Sequence, residues 1–296
     1  MNKEKKVLIL GANGYLGYFL IKYAPNNYEI ITSSRNKNVL SKFSFIQLDI
    51  TKKDELINTF EKIKPNIIIN SAAVSLPDYA EQHKEETYRI NVEGVENIIE
   101  GCLKINAKLI HISTDYIFSN KGNYNENDEY SPVNYYGYTK VEAEKLIRNS
   151  KLLYLILRPS FLYGIKENYH RPNNFYNIYN KLIENKKVQL TGQIGSPTLV
   201  DDLAITIYKL LDFKKSEIYH TAGESMSRYE FGLKIAEVFN LDKNLIEYVE
   251  HLPSIAPRPR NSSLNCSKLE QDYKIKFRDV KSSLEFIKSQ INLKYL

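Results

Sequence analysis

The chain has 296 residues, 43% of them hydrophobic, with 41 Lys and Arg against 35 Asp and Glu for a net charge of +6, and two cysteines. That length and apolar share suit one large α/β domain or a large and a small one, and no apolar run approaches the roughly 18 residues that a bilayer span needs. Cys102 and Cys266 have neither metal-site spacing nor a disulfide framework, and no basic block interleaves with aromatics, so a metal centre, a membrane and a nucleic-acid partner are not expected and a cytoplasmic setting is.

The opening MNKEKKVLIL places basic residues before an apolar run, as a secretory leader does, but the run is short and enters a glycine turn, so residues 5–10 read as a first strand. The turn is Gly11-Ala12-Asn13-Gly14-Tyr15-Leu16-Gly17, followed by an apolar helix through Tyr23. Glycines at such a place let backbone approach a pyrophosphate and let the helix pack on the strand, with the helix N-terminus facing the negative charge. The spacing is G-x-x-G-x-x-G rather than G-x-G-x-x-G. A second strand over 28–33 ends at Ser34 and Arg35. An acid here would suit the ribose 2′-hydroxyl of NAD and an Arg the 2′-phosphate of NADP, so the sequence favours NADP.

Residues 43–48 form the third expected strand, ending at Asp49-Ile50 beside an adenine position. A helix over 54–64 carries Leu56, Ile57, Phe60 and Ile63 at helical spacing, and Pro65 closes it. A fourth strand, 67–69, runs into Asn70-Ser71-Ala72-Ala73, whose small side chains let a cofactor lie against the strand end. One long helix is expected over 80–105, with Asn91 in its middle serving the backbone. Strands five and six follow at 108–112 and 152–157.

Between those two strands the chain reads HISTDYIF, an acidic loop, then SPVNYYGYTKVEAEKLI. Tyr136 and Lys140 are four apart and share a helix face. A phenol titrates near ~10, and a neighbouring ammonium lowers that value. Thr114, at the end of strand five, can hold a carbonyl oxygen against the phenol. These three groups are what carbonyl reduction or alcohol oxidation needs once a hydride donor is supplied. A second Tyr-x-x-x-Lys at Tyr18/Lys22 has no strand-end hydroxyl before it. The glycine turn, Arg35, Asp49, Ala72 and Thr114 all fall at C-terminal strand ends, which implies an α/β, doubly wound parallel sheet with its ligand there. The positive charge suits an anionic ligand such as a nucleotide or sugar diphosphate, although a composition rich in Lys, Asn, Tyr and Ile explains most of it.

From Arg158 the pattern loosens. A polar loop over 166–180 leads to a helix ending near 184, and His170 with Arg171 reads as an exposed loop pair. A short strand at 188–190, a helix at 197–211, a strand at 217–222 and a helix at 228–239 follow. Residues 256–264 are extended, and 266–271 and 280–291 are helical. The expected organisation is a dinucleotide-binding domain over 1–164 that also receives segments from about 190–222, with 165–296 mainly an interwoven substrate lobe.

GANGYLG, NSAA at 70–73, YRINVEG at 88–94, HISTDYIF, PVNYYGYTKVEAE, ILRPSFLYG, the helix after PTLVDDLA and RPRNSSL at 258–264 together resemble the extended short-chain dehydrogenase/reductases. Within them the chain resembles the dTDP-4-dehydrorhamnose reductase-like sugar-nucleotide reductases over nearly its whole length. The resemblance implies a Rossmann-like fold with a small C-terminal lobe and NADPH-dependent reduction of a nucleotide-linked 4-keto-6-deoxy sugar, with a homodimer as an option. It implies Tyr136 as general acid, Lys140 as the group that lowers the phenol's pKa and holds the nicotinamide ribose, and Thr114 as partner of the substrate carbonyl. Gly11, Gly14 and Gly17, with Asn13, Tyr15 and Leu16, would hold the pyrophosphate, and Ser34 with Arg35 the 2′-phosphate. Asp49, Ile50, Ser71, Ala72 and Ala73 would line the adenosine side, and Arg158 would lie near the nicotinamide. Val74 and Tyr116 would face the sugar, and Arg258 would bind the diphosphate through a bidentate guanidinium. VSLPDYAE at 74–81 departs from the family's usual turn facing the sugar, which leaves the particular sugar open. Two other readings share the motifs. One is a nucleotide-sugar epimerase or dehydratase with retained NAD, which Ser34-Arg35 disfavours. The other is a non-catalytic NADP-binding subunit like the regulatory subunit of methionine adenosyltransferase, whose RPRN-type segment the chain also resembles.

Overall fold

Alternation of apolar residues along the strands decides the layers. In β1 (Lys5–Leu10), Val7 and Ile9 enter one core and Leu8 and Leu10 the other, as a period of two requires for a sheet covered on both faces. The computed structural model describes residues 5–36 and 43–294; part of the basic opening lies outside them. Six further strands, β2 (Tyr28–Ser34), β3 (Ser44–Gln47), β4 (Ile67–Asn70), β5 (Lys108–Ile112), β6 (Tyr154–Arg158) and β7 (Glu217–His220), join β1 in a parallel sheet of order β7-β6-β5-β4-β1-β2-β3. The order reverses between β1 and β4, which opens a crevice at the carboxyl ends of the strands. The register brings those ends level: Leu10 lies opposite both Ser33 and Asn70, and Asn70 opposite His111.

The helices of the first part are α1 (Tyr15–Lys22), α2 (Lys53–Ile63), α3 (Pro77–Gln82), α4 (Lys84–Tyr88), α5 (Gly94–Ile105) and α6 (Tyr135–Asn149). Those that follow are α7 (Asn174–Ile183), α8 (Val200–Lys209), α9 (Arg228–Phe239), α10 (Ser267–Tyr273) and α11 (Val280–Lys294). Phe19 and Leu20 of α1 meet Leu203 and Ile207 of α8 on one face, while Leu56, Phe60, Ile98, Ala143 and Ile147 from α2, α5 and α6 cover the other. Each such buried Leu, Ile or Phe contributes ~1.5–3 kcal/mol. A third core, with Tyr163, Phe175, Phe231, Ile235, Leu284 and Ile287, binds α7, α9 and α11 into a lobe. Residues 200–220 leave the lobe to supply α8 and β7, and Leu269, Ile275 and Phe277 return to the sheet core again.

Several elements differ from the periodicity-based expectation. The single helix over 80–105 is interrupted at His83 and again by a π-helical turn, Arg89–Glu93. That turn carries Asn91, whose amide bonds Val74 and Thr139 rather than its own helix. Helix α8 starts at Val200 rather than 197 because Thr198–Leu199 pairs with Leu162–Tyr163 as a short strand. Helix α7 replaces much of the expected loop, since the Asn173 side chain caps it at the amide of Tyr176. The expected strand at 188–190 is Val188–Thr191 and pairs in parallel with Ile246–Val249, a strand the sequence pattern did not announce.

Candidate active site

Gly11 closes β1 at φ +82 with its amide donating to Ser33 O at 2.9 Å. A Cβ there would stand 2.7 Å from the amide nitrogen of Ala72, which is backbone and cannot step aside, so glycine is what lets the ends of β1 and β4 meet. Gly14 then opens α1 with no side-chain cap and no acid in the first turn, leaving the helix's positive end to an anion. Arg35 is exposed at the end of β2, and its nearest carboxylate, Glu86, is 3.8 Å away. Ala72, Ala73 and Val74 lie at the open end of β4.

Other expected nucleotide contacts serve the fold with their side chains. Leu16 and Ile50 are buried in the two sheet cores. Tyr15 accepts a hydrogen bond from Asn173 Nδ2 at 2.9 Å and so ties the glycine turn to the lobe. Ser34 Oγ donates to Asn36 O at 2.7 Å, Ser71 Oγ donates to Leu10 O at 2.7 Å, and Asp49 Oδ1 accepts from the Thr51 amide and hydroxyl. His170 is not the exposed loop residue expected of it. It is 8% exposed and packs edge-on against Tyr15 and Tyr18, both at 5.6 Å, because an aromatic pocket beside the glycine turn receives it.

The chemistry-bearing groups converge at the end of β5. Thr114 is extended and its Oγ1 accepts the Tyr116 amide at 3.2 Å, capping the short helical turn Asp115–Ile117. Asp115, buried, receives the hydroxyls of Ser160 at 2.9 Å and Ser262 at 2.6 Å, which pins this turn to β6 and to the extended segment near 262. Asn134 caps α6 at the Gly137 amide, 2.8 Å. A side chain at Gly137 would strike Tyr116 O, so glycine lets the first turn of α6 lie directly on the Thr114 turn. Tyr136 is thereby held 8% exposed, with its ring edge-on to Tyr116 and the Thr114 hydroxyl as hydrogen-bond partner of the phenol.

Burial raises the Tyr136 pKa well above its ordinary value, and the Thr114 hydrogen bond opposes this. Lys140, one turn further along α6, is shifted as well. Its own ammonium is pushed down to about 8 by burial, with Glu144 partly holding it up. Lys140 Nζ donates to Ile112 O at 2.6 Å and lies 3.1 Å from His111 Nε2. Burial and the neighbouring Lys140 drive His111 well below the usual imidazole range, so its ring is neutral.

Arg158 corrects the expectation of a nicotinamide contact. It is fully buried, with Nη2 2.6 Å from Glu144 Oε2, Nε 3.0 Å from Oε1, and Nη1 donating to Glu126 O at 2.9 Å. Burial alone would raise the Glu144 carboxyl, but Arg158, Ser113 and Tyr130 outweigh it and hold the acid below its ordinary range. The pair welds β6 to α6 beneath the site. Its guanidinium has no face left for a cofactor.

Arg258 reaches the open side from the extended segment, with Nη2 2.9 Å from Asp78 Oδ1 and Nη1 on Ala256 O at 2.7 Å. It borders a cleft of about 410 Å³ together with Arg260, His251, Tyr248 and Ser254. Arg228, absent from the sequence-based set, leans toward the same side. Its guanidinium lies 3.4 Å over the Phe161 ring and bonds Tyr116, and its Nη1 has no hydrogen-bond partner. One arginine at the start of α9 gives no sequence signal, and only the fold brings it to Tyr116. Among the described residues no group of His, Cys, Asp and Glu could hold a metal, and no helix is long and apolar enough to cross a membrane.

The strand order, the glycine turn and the Thr114, Tyr136 and Lys140 set define a doubly wound, Rossmann-like protein with its crevice at the β1/β4 reversal. A family model described as RmlD substrate binding domain matches residues 5–292, and the chain belongs to that family. It is 32% identical over 305 residues to the dTDP-4-dehydrorhamnose reductase of Aggregatibacter actinomycetemcomitans, covering 96% of this chain and 98% of that protein. It is 31% identical over 277 residues to methionine adenosyltransferase 2 subunit beta of Bos taurus, covering 90% and 82%. The solved dTDP-4-dehydrorhamnose reductase from Bacillus anthracis in complex with NADP matches with a TM-score of 0.87 at 30% identity, covering 97% of this chain and 99% of that one.

Proposed function

We propose that this protein reduces the keto group of a nucleotide-linked 4-keto-6-deoxy sugar with NADPH, as a reductase of the dTDP-4-dehydrorhamnose type. The observation that carries the reading is the buried Tyr136 phenol, set beside the Thr114 hydroxyl that follows β5 and one helical turn from Lys140. The NADP-bound relative of the same fold supports the cofactor.

The residues present fit that cofactor. Gly11 lets the ends of β1 and β4 meet beside the start of α1, uncapped α1 receives a pyrophosphate, and Arg35 is free of a tight carboxylate partner for a 2′-phosphate. When bound, NADPH supplies the hydride. Tyr136 then gives its phenolic proton to the carbonyl oxygen, while Thr114 holds that oxygen in place and Lys140 holds the ribose. Arg258, with Arg260 lining the same cleft, takes the substrate's diphosphate. Orientation and a positioned acid supply most of the acceleration.

The test follows NADPH absorbance with a panel of nucleotide 4-keto-6-deoxy sugars, beside Tyr136→Phe. Consumption is expected with one sugar, falling ~10²–10⁴-fold in the variant while NADPH still binds. NADPH binding with no turnover on any sugar would overturn the reading. That result, with a methionine adenosyltransferase recovered from the same cells in complex with the protein, would favour a cofactor-binding subunit, which the likeness to the subunit beta supports.

A further inference from the structure

We infer that Asn70 and His111 form a positioning pair that fixes the protonation of Lys140, holding it as the neutral amine in the ligand-free protein. The argument is an accounting of donors. The Ala72 amide can only donate, and it points at Asn70 Oδ1, 3.1 Å away. Asn70 therefore turns Nδ2, also only a donor, toward His111 Nδ1 at 3.2 Å. That nitrogen must accept. A neutral imidazole carries one proton, so it sits on Nε2, aimed at Lys140 Nζ 3.1 Å away.

An ammonium at Lys140 would set N–H against N–H. The amine instead accepts from His111 with its lone pair and donates one N–H to Ile112 O at 2.6 Å. Asn70 and His111 are each 1% exposed and Lys140 2%, so water relieves none of these contacts. The groups around the amine act in the same direction or are spent elsewhere. Glu144, one turn along α6, favours the ammonium but is committed to Arg158 of β6, Ser113 and Tyr130. Tyr136, on the same face of α6, is neutral, and Asp115 at the end of β5 is bonded to Ser160 and Ser262. The depression of Lys140 to about 8 by burial places the neutral form within reach of ordinary pH before the imidazole is counted.

The consequence for turnover rests on the reductase reading. A neutral Lys140 leaves the Tyr136 phenol protonated, which is the form that reduction consumes.

The titration needs no turnover, so its outcome is independent of that reading. Lysine labelled with ¹³C at Cε is followed by NMR against pH in the ligand-free protein, with the Lys140 signal identified by its loss in Lys140→Met. In the wild type, Lys140 is expected to titrate lowest of the lysines. In His111→Gln the amide can present its oxygen to an ammonium. In Asn70→Ala the imidazole can move its proton to Nδ1 and offer Nε2 as acceptor. Both are expected to raise the Lys140 midpoint by roughly one unit or more. Unchanged midpoints in both variants would mean that burial alone depresses Lys140 and would overturn the inference. If His111→Gln fails to fold, Asn70→Ala, which leaves the ring in place, decides alone.

Discussion

Replacing Arg158 by methionine strips the cation from an interior pair and leaves Glu144 facing Ser113 and Tyr130 with no counter-charge. Both partners have 0% exposed side chains, so water cannot substitute for the guanidinium. Breaking such a pair costs ~3–5 kcal/mol, whereas replacing both charges with apolar groups is often close to neutral. Arg158→Met is therefore expected to lower the free energy of denaturant unfolding by about 3–5 kcal/mol at neutral pH, and Glu144→Leu with Arg158→Met to recover at least half of that.

The pH dependence has a definite sign. In the wild type the Glu144 carboxyl titrates below its unfolded value, so its contribution is present above that value and lost as pH falls through the folded one. In Arg158→Met only the Ser113 and Tyr130 hydrogen bonds still oppose burial, which then lifts the carboxyl above its unfolded value, so acidification stabilises the variant relative to wild type. The gap between them is expected to narrow steadily from pH ~7 to pH ~5 in urea melts. A gap below ~1 kcal/mol, or one that stays constant across that range, would refute the reasoning.

Gly11→Ala forces a side chain to φ +82 against the Ala72 backbone, and is expected to cost ~1–3 kcal/mol in unfolding free energy and at least tenfold in NADPH affinity by fluorescence titration. Arg35→Ala removes an exposed side chain, so stability should hold while NADPH affinity falls ~10–100-fold and NADH affinity does not, read from paired dissociation constants. Arg258→Ala is expected to raise KM for the nucleotide sugar by about tenfold with kcat little changed, and Asp78→Ala, which frees the same guanidinium, to shift KM without abolishing turnover.

The sheet was readable because its strands are short apolar runs bounded by glycine, proline or small polar residues, and the row of strand-end groups followed from it. Thr114, Tyr136 and Lys140 were legible as types at a spacing. Their electrostatics were not. Lys140 was read as a cation acting on Tyr136, and the partner it meets is His111, whose place depends on the β4/β5 register. Arg158 looked like a site residue because it ends a strand, and only the arrival of Glu144 from α6 makes it an interior one. Asn91 interrupts a pattern whose helical period is intact, since its partners Val74 and Thr139 are distant in sequence. Arg228 has no local signature at all. Residues answering to local periodicity were found, and those defined by pairing across the fold were not.

The sheet's last strand also sets an order on synthesis. β6 is complete by residue 158, but β7, which covers its outer edge, is not made until residues 217–220. A growing chain therefore passes through about sixty residues with a row of backbone amides and carbonyls bare on a hydrophobic strand, an invitation to pair with another chain. The intervening stretch supplies α7 and α8, and α8 packs on α1 in the folded protein. A ribosome paused between those points would hold its nascent chain at the stage most prone to aggregate, and a fragment cut at the end of β6 would carry that exposed edge permanently.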